Sequence, residues 1–208
     1  MKWFAQKEKV FCIGRNKTGT TSLEAALKDF KYRMGDQKLG ERLVNEYANG
    51  NFKPVLKLCK TADAFQDAPF SWPYTWLILY HYYPNAKFIL TVRDEEKWYE
   101  SVVSFHSKQF KNAQGPLTKE DMKEVTYIYK GWLWEANRAI WKTPEDDIYK
   151  KDMLIANYRR HNEDVQHFFR DKNNLLVLDV SKDDAYSKLC SFLDKPKLRD
   201  KFPHKNAR

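Results

Sequence analysis

The chain has few cysteines and no long apolar segment. Its three cysteines, Cys12, Cys59 and Cys190, form no C-x-x-C pair and lie within or beside apolar runs. Such a set excludes a disulfide framework and favours unpaired core thiols in a reducing compartment. No run approaches the roughly 20 apolar residues of a membrane span, and the N-terminus lacks the apolar core of a secretory signal. We therefore expect a cytoplasmic protein with no membrane partner.

The chain also lacks the G-K-[ST] end of a Walker A motif. Gly14 and Gly19 keep the spacing of that motif, but Thr20 and Thr21 follow Gly19, and Lys17 precedes it. The hydroxyl that would bind Mg²⁺ after the lysine is missing from its usual place. This difference argues against ATP or GTP as the substrate and predicts no metal ion.

Composition indicates a folded globular protein. The 208 residues are 42% hydrophobic and 15% aromatic, so we expect one domain over residues 1–208 with its own core. The formal net charge is +9. A basic surface suits a nucleic acid or a small anionic ligand, and charge alone does not decide between them.

Strands and helices alternate in the predicted order. Apolar runs at about 9–13, 53–59, 88–92 and 175–179 read as strands. Helical patterns are found up to about 30 and at 74–83, 95–110, 119–142, 148–171 and 183–193, and residues 112–116 form a predicted loop. This alternation predicts an α/β fold with a parallel sheet and helices on both faces.

Residues 10–22, V-F-C-I-G-R-N-K-T-G-T-T-S, are the strongest functional signal. An apolar run leads into a glycine-containing loop and then into a helical pattern. Backbone N–H groups and the helix dipole converge at such a junction, where they favour an anion. The hydroxyls of 18 and 20–22 and the charge of Lys17 add donors, so we expect a phosphate or sulfate here.

A second signal follows the strand at 88–92. Arg93 stands at the strand's carboxyl end, where open α/β sheets bind ligands, and Ser101 lies two turns into the next helix. Arginine offers a bidentate fork for phosphate and serine one hydroxyl donor. The alternative is a surface ion pair of Arg93 with Asp94 or Glu96.

These two motifs, in this order, resemble the sulfotransferases, which use 3′-phosphoadenylyl sulfate (PAPS). K-T-G-T-T-S-L resembles their 5′-phosphosulfate loop, and Arg93 with Ser101 resembles their 3′-phosphate site. Residues 175–193 resemble the late strand and helix of the same fold, and 202–206 resemble the closing segment of a compact branch. The likeness runs from about residue 9 to the C-terminus. It implies a P-loop-like three-layer sandwich with a central parallel sheet of about four to five strands.

The resemblance implies that PAPS is the co-substrate, that adenosine 3′,5′-bisphosphate (PAP) is the product, and that no metal takes part. The implied units are 9–30 for the 5′-phosphosulfate, 87–105 for the 3′-phosphate, and about 104–171 for the acceptor. Lys17 is the predicted catalytic residue that stabilises the leaving phosphate. The predicted donor-binding residues are Arg15, Asn16, Lys17, Thr18, Gly19, Thr20, Thr21, Ser22, Arg93, Ser101 and Lys205.

An acceptor hydroxyl or amine also needs a base. The steroid and phenol enzymes of the family use a histidine soon after the second strand, but this chain has none there. Asp67 is the first candidate base and Asp63 the second, although Asp67 also suits a helix cap. His81 and His106 are further candidates, each more typical of a packed residue.

We therefore predict a sulfotransferase that acts on a small-molecule acceptor by in-line displacement. Aromatic clusters at 72–83 and 127–141 could stack on that acceptor, although their helical spacing also suits a core. The alternatives are a nucleotide or small-metabolite kinase with a degenerate P-loop, using Asp179 as its acid, and a non-catalytic nucleotide- or nucleic-acid-binding protein. The acceptor, O- or N-sulfation, and the choice between monomer and homodimer stay open.

Overall fold

The computed structural model describes residues 8–111 and 115–203. Its strands are β1 (Val10–Cys12), β2 (Ala64–Phe65), β3 (Lys87–Thr91) and β4 (Leu175–Leu178). Its helices are α1 (Thr20–Asp29), α2 (Gln37–Glu41), α3 (Val44–Ala48), α4 (Lys53–Leu58), α5 (Thr75–Tyr82), α6 (Glu95–Phe110), α7 (Lys119–Glu124), α8 (Trp132–Ile140), α9 (Lys151–Phe169) and α10 (Ala185–Leu193). No helix among the described residues is long and apolar enough to cross a membrane.

The described strands form one parallel sheet in the order β2-β1-β3-β4. Val10 pairs with Ala64 on one side and Lys87 on the other, and Thr91 pairs with Leu178. From β1 the chain moves to β2 and then crosses back to β3 on the opposite side. The connections therefore diverge between β1 and β3, which is the place where open α/β sheets bind their ligands.

Both faces of the sheet are covered by helices. Val10 and Cys12 face a cluster that includes buried residues of α1 and α10, whereas Phe11 and Ile13 face a cluster with α4, α5 and α9. This alternation follows from the period of two in a strand, and it makes every core position of β1 apolar. The architecture is a three-layer α/β sandwich, as predicted, and all three cysteines are buried and free.

A third cluster lies among the helices that follow β3. Trp98, Val102, Met122, Leu133 and Tyr158 are its central members, contributed by α6, α7, α8 and α9. The indole of Trp98 stacks on Tyr158 with ring centroids 4.4 Å apart. This packing fixes the helical region above the loops at the carboxyl ends of the strands.

The prediction of a strand at 53–59 is wrong, because this segment forms α4. Pro54 suits the first turn of a helix, where its missing N–H is not needed. Val55, Leu58 and Cys59 are buried while Lys57 is exposed, which is the i, i+3, i+4 pattern of an amphipathic helix. The second strand is the two-residue β2, which is too short to give a pattern.

The single helical pattern at 119–142 is also wrong, because two helices share that segment. α7 ends where the β-favouring run Val-Thr-Tyr-Ile-Tyr begins, and Thr126 forms an isolated bridge with Lys130. Gly131 then adopts φ 84°, a left-handed conformation that glycine allows at the start of α8.

Two predictions fall partly outside the described residues. They are the loop predicted at 112–116, of which 112–114 are not described, and the closing segment, of which 204–206 are not described.

Candidate active site

A cavity of about 660 Å³ opens where the loops after β1 and β3 meet the third cluster. This volume is within the usual range of small-molecule sites. Of the predicted residues, those that line it are Arg15, Asn16, Lys17, Gly19, Thr20, Thr21, Ser22, Asp67, Arg93 and Ser101. Two sequence motifs separated by more than 70 residues are therefore brought to one place. Lys205 lies outside the described residues.

The loop between β1 and α1, residues 13–19, has two left-handed positions. Lys17 has φ 67° and Gly19 has φ 96°. A Cβ atom on Gly19 would lie 2.2 Å from Cγ2 of Val180, so glycine is required by space as well as by conformation. Alternating right- and left-handed residues turn successive N–H groups toward one point, which forms an anion-binding concavity.

The carbonyl groups of this loop are held by the surrounding protein. Nε2 of His161 lies 2.8 Å from the oxygen of Ile13, and Nε1 of Trp98 donates to the oxygen of Asn16 at 3.0 Å. Burial lowers the pKa of His161 well below its usual value, so its ring is neutral and donates from Nε2. Among the described residues, no acceptor takes the backbone N–H groups of Asn16 through Thr21. The loop thus keeps its donors for a ligand.

The hydroxyl of Thr18, unlike the backbone N–H groups of the loop, is already used in hydrogen bonds within the protein. Thr18 is buried, and its Oγ1 lies 2.5 Å from the oxygen of Arg15 and 2.6 Å from Oγ1 of Thr91. Its side chain does not line the cavity, so it closes the loop and ties it to β3. What Thr18 can offer an anion is its backbone N–H.

Three cations face the cavity, and none forms an ion pair within the described part of the chain. Arg15 is only 3% exposed, and its Nη1 donates to the oxygen of Ser71 at 2.9 Å. Its Nε is buried without a partner, and its guanidinium lies 4.9 Å from the ring centre of Trp141. Burial lowers its pKa to about 10, so Arg15 remains charged at neutral pH. A buried cation without a carboxylate partner implies an anionic ligand.

Lys17 and Arg93 complete this group of cations. The Nζ of Lys17 lies 3.8 Å from the ring centre of Phe105, and burial lowers the pKa of this lysine while Asp67 raises it. Nη1 of Arg93 lies 3.4 Å from the oxygen of Lys17, and the hydroxyl of Tyr158 bonds to the backbone N and O of Arg93 at 2.9 and 3.0 Å. Arg93 is thereby held at the end of β3 while its side chain remains exposed.

Asp67 reaches the cavity from the turn that follows β2. Its backbone is left-handed, with φ 57°. Burial is the main reason why its pKa rises from 3.8 to about 6; Glu41 and Glu24 raise it further, and Lys17 and a hydrogen bond from Thr20 lower it. A carboxyl group with this pKa beside a lysine can accept a proton near neutral pH.

Asp63, the second candidate base, lies elsewhere. Its Oδ2 accepts from the backbone N of Arg33 at 3.2 Å, and Oδ1 lies 3.6 Å from Nη2 of the same residue. It does not line the cavity. The structure therefore brings Asp67, and not Asp63, to the other predicted site residues.

Of the two histidines considered, His106 lines the cavity and His81 does not. Nδ1 of His106 lies 2.7 Å from the hydroxyl of Tyr149. Burial, with a smaller effect of Lys17, lowers the pKa of His106 to about 4, so its ring is neutral at physiological pH. Asp179, the acid considered for a kinase, accepts from the N and Oγ of Ser181 and does not line the cavity.

Several lining residues gave no sequence signal. They are Glu24, Gln37, Glu41, Gln66 and Phe105. Each is of a type that is common on protein surfaces or in cores, and none belongs to a motif. Only the fold brings them to the cavity. Of the aromatic clusters, Trp72, Tyr127, Trp132 and Trp141 line the cavity, whereas Tyr80 packs against Phe169 in the core. Within the described residues, no group of three or more His, Cys, Asp or Glu side chains could hold a metal ion.

Comparison with known proteins agrees with this geometry. A family model described as a sulfotransferase domain matches residues 9–208, and the chain therefore belongs to that family. No curated protein matches the chain. The family assignment makes the protein a transferase of sulfuryl groups with a P-loop-like fold.

Proposed function

We propose that this sulfotransferase transfers the sulfuryl group of PAPS to a hydroxyl or amine of a small acceptor and releases PAP. The observation that carries the proposal is the set of three cations, Arg15, Lys17 and Arg93, beside a loop whose N–H groups from residue 16 onward lack acceptors among the described residues. None of the three has a carboxylate partner among the described residues. A donor with several phosphate charges supplies the anions that these groups lack.

The donor fits the residues that face the cavity. The N–H groups of Thr18 through Thr21 and the hydroxyls of Thr21 and Ser22 suit the 5′-phosphosulfate, while the hydroxyl of Thr20 donates to Asp67. Arg93 and Ser101, which line the same cavity, suit the 3′-phosphate. Arg15 lines the cavity as well, and its buried Nε has no partner among the described residues.

PAPS supplies the sulfuryl group, and the residues of the chain position the reaction and move its proton. Asp67 accepts the proton of the acceptor as the acceptor oxygen or nitrogen bonds to sulfur and the bond from sulfur to the 5′-phosphate oxygen breaks. Lys17 stabilises the negative charge that develops on that leaving oxygen. Lys17 and Asp67 line the same cavity, which supports this division of roles.

Calorimetric titration tests the donor site. We expect PAP to bind in the absence of metal with micromolar or tighter affinity, and ATP with Mg²⁺ to bind much more weakly. Binding of Mg-ATP alone would support the kinase alternative instead. If neither binds, the proposal fails. A screen of alcohols, phenols and amines with labelled PAPS then identifies an acceptor for rate measurements.

A further inference from the structure

The cavity contains a buried carboxylate that the proposed donor site does not use. Glu41, at the end of α2, is 5% exposed. Its Oε1 accepts from Nε2 of Gln37 at 3.0 Å and from the hydroxyl of Tyr127 at 3.2 Å. Its Oε2 is buried and has no partner among the described residues. A carboxylate oxygen left in this state calls for a ligand that donates to it.

Glu41 is held firmly in place. Its backbone oxygen accepts from Nε1 of Trp132 at 2.7 Å, which ties the end of α2 to the start of α8. Gly40 allows α2 to pack closely against the segment after β2, because a Cβ atom there would lie 2.5 Å from the backbone oxygen of Ala68, next to Asp67. The side chain is thus oriented by Gln37 and Tyr127, and its backbone is held by Trp132, as a binding group should be.

Glu41 and Asp67 form an acidic pair in which Asp67 has Lys17 as a basic neighbour and Glu41 has Lys38. Neither takes part in an ion pair among the described residues, and each lines the cavity. Burial is the largest cause of the raised pKa of both carboxyl groups, and Glu41 raises the pKa of Asp67 further. Glu24, which also lines the cavity, differs because Lys28 lies 2.5 Å from its Oε1. A positive charge bound at Glu41 would remove the repulsion within the pair.

Tyr127 and Trp132, which donate to Oε1 and to the backbone oxygen of Glu41, belong to an aromatic group in the cavity. The rings of Tyr127 and Trp132 are 5.4 Å apart, and Phe110 meets Tyr127 edge to face at 5.5 Å. All three line the cavity together with Trp72. Aromatic faces attract organic cations, and they also bury a planar or aliphatic body. A carboxylate beside such rings is suited to an ammonium group better than to a neutral hydroxyl.

We propose that the acceptor carries a protonated amine, which pairs with Oε2 of Glu41 while the acceptor hydroxyl reaches Asp67. The acceptor is thus an amino alcohol or a phenolic amine of a size that fits the cavity beside the donor. This inference rests on the proposed function, since it assigns Glu41 as a specificity-determining residue of the same site.

Matched ligands test this inference. Calorimetry with PAP-saturated protein compares phenols that bear an amine on a one-, two- or three-carbon chain with the alkylphenols in which a methyl group replaces the amine. We expect the best amine to bind about tenfold or more tightly than its neutral analogue. In Glu41→Gln this preference should fall to near one while the affinity for PAP is unchanged. Glu100→Gln, on the exposed side of α6, is the control and should keep the preference.

Three results would overturn the inference. They are equal binding of the amines and their neutral analogues by the wild-type protein, a preference that persists in Glu41→Gln, and no binding of any amine by protein that binds PAP. Each leaves the proposed donor site intact, whereas failure to bind PAP refutes the proposed function itself. The wild-type comparison decides by itself if Glu41→Gln does not fold.

Discussion

The two sides of the cavity are built in different ways. The β1–α1 loop is one continuous segment whose carbonyls are held by His161, Trp98 and Thr18. The N–H groups from Asn16 onward meet no acceptor in the part of the chain that the structure describes. The side that carries Asp67 and Glu41 comes from separate segments, and it leaves a carboxylate oxygen unpartnered. One side is rich in donors and positive charge, and the other in acceptors and negative charge. This polarity suits the proposed reaction, because the cations stabilise the leaving phosphate on one side and a carboxylate accepts the proton of the acceptor on the other.

The largest effect is expected on the positive side. Lys17→Ala should reduce kcat for sulfuryl transfer by about 10² to 10³ or more, because it removes the charge that stabilises the leaving phosphate oxygen. Affinity for PAP should change far less, since the backbone N–H groups remain. Steady-state kinetics and calorimetry measure the two quantities. Lys57→Ala, on the exposed face of α4, is the control, and equal losses in kcat and PAP affinity would contradict the catalytic role of Lys17.

On the negative side, Asp67→Asn should lower the rate by about 10² or more, because the base is lost. In the wild-type protein, kcat/KM for the acceptor should rise as pH increases through about 6, where Asp67 loses its proton. A pH–rate profile measures this rise. A profile that is flat from pH 5 to 8, or full activity in the variant, would exclude Asp67 as the base.

The same substitution, Asp67→Asn, should lower the rate but raise the stability of the folded protein. Because its folded pKa of about 6 is above the 3.8 of the unfolded chain, its neutral form favours folding, and that contribution is lost as pH rises through the folded pKa. At pH 8, Asp67→Asn should therefore increase the free energy of unfolding by an amount on the order of 1 to 3 kcal/mol. Denaturant unfolding at pH 8 checks the sign, and a destabilised variant would contradict this account of the buried carboxyl.

A smaller, ligand-specific effect is expected at Arg93. Arg93→Ala should weaken PAP binding by about tenfold to 100-fold, as for loss of a charged hydrogen bond, and leave AMP binding nearly unchanged. The reason is that AMP lacks the 3′-phosphate. Titration of both nucleotides measures the difference, with the exposed Arg170→Ala as control. Equal losses for PAP and AMP would refute the assignment of Arg93 to the 3′-phosphate.

The smallest effect is expected at Asp63. Its carboxylate accepts from Arg33 outside the cavity, so Asp63→Asn should leave kcat within about twofold and cost less than about 1 kcal/mol of stability. Kinetics with the same acceptor as for Asp67→Asn provide the comparison. A loss as large as that of the Asp67 variant would mean that the two aspartates have been assigned the wrong way round.

The sequence predicted β1, β3, β4 and the helices α1, α5, α6, α9 and α10 well, but it missed β2, α2, α3 and the division of 119–142 into α7 and α8. β1, β3 and β4 are apolar runs bounded by clear turns, and their alternation with helices determined the parallel sheet. β2 has two residues, and its position is set by pairing with β1, so it left no pattern. The segment 53–59 is predicted as a strand because its apolar residues are close together, but it forms the helix α4. Only burial on one face distinguishes a short helix from a strand there.

The sequence by itself determined the β1–α1 loop and its partner Arg93. The donors of the loop are backbone groups in one contiguous segment, and parallel strands bring their carboxyl ends to one edge. Only the tertiary structure decided between Asp67 and Asp63, and only it placed Glu41, Phe105 and Tyr127 in the cavity. The physical reason is that a side chain's charge state and partners depend on what packs around it, and those neighbours come from distant parts of the chain.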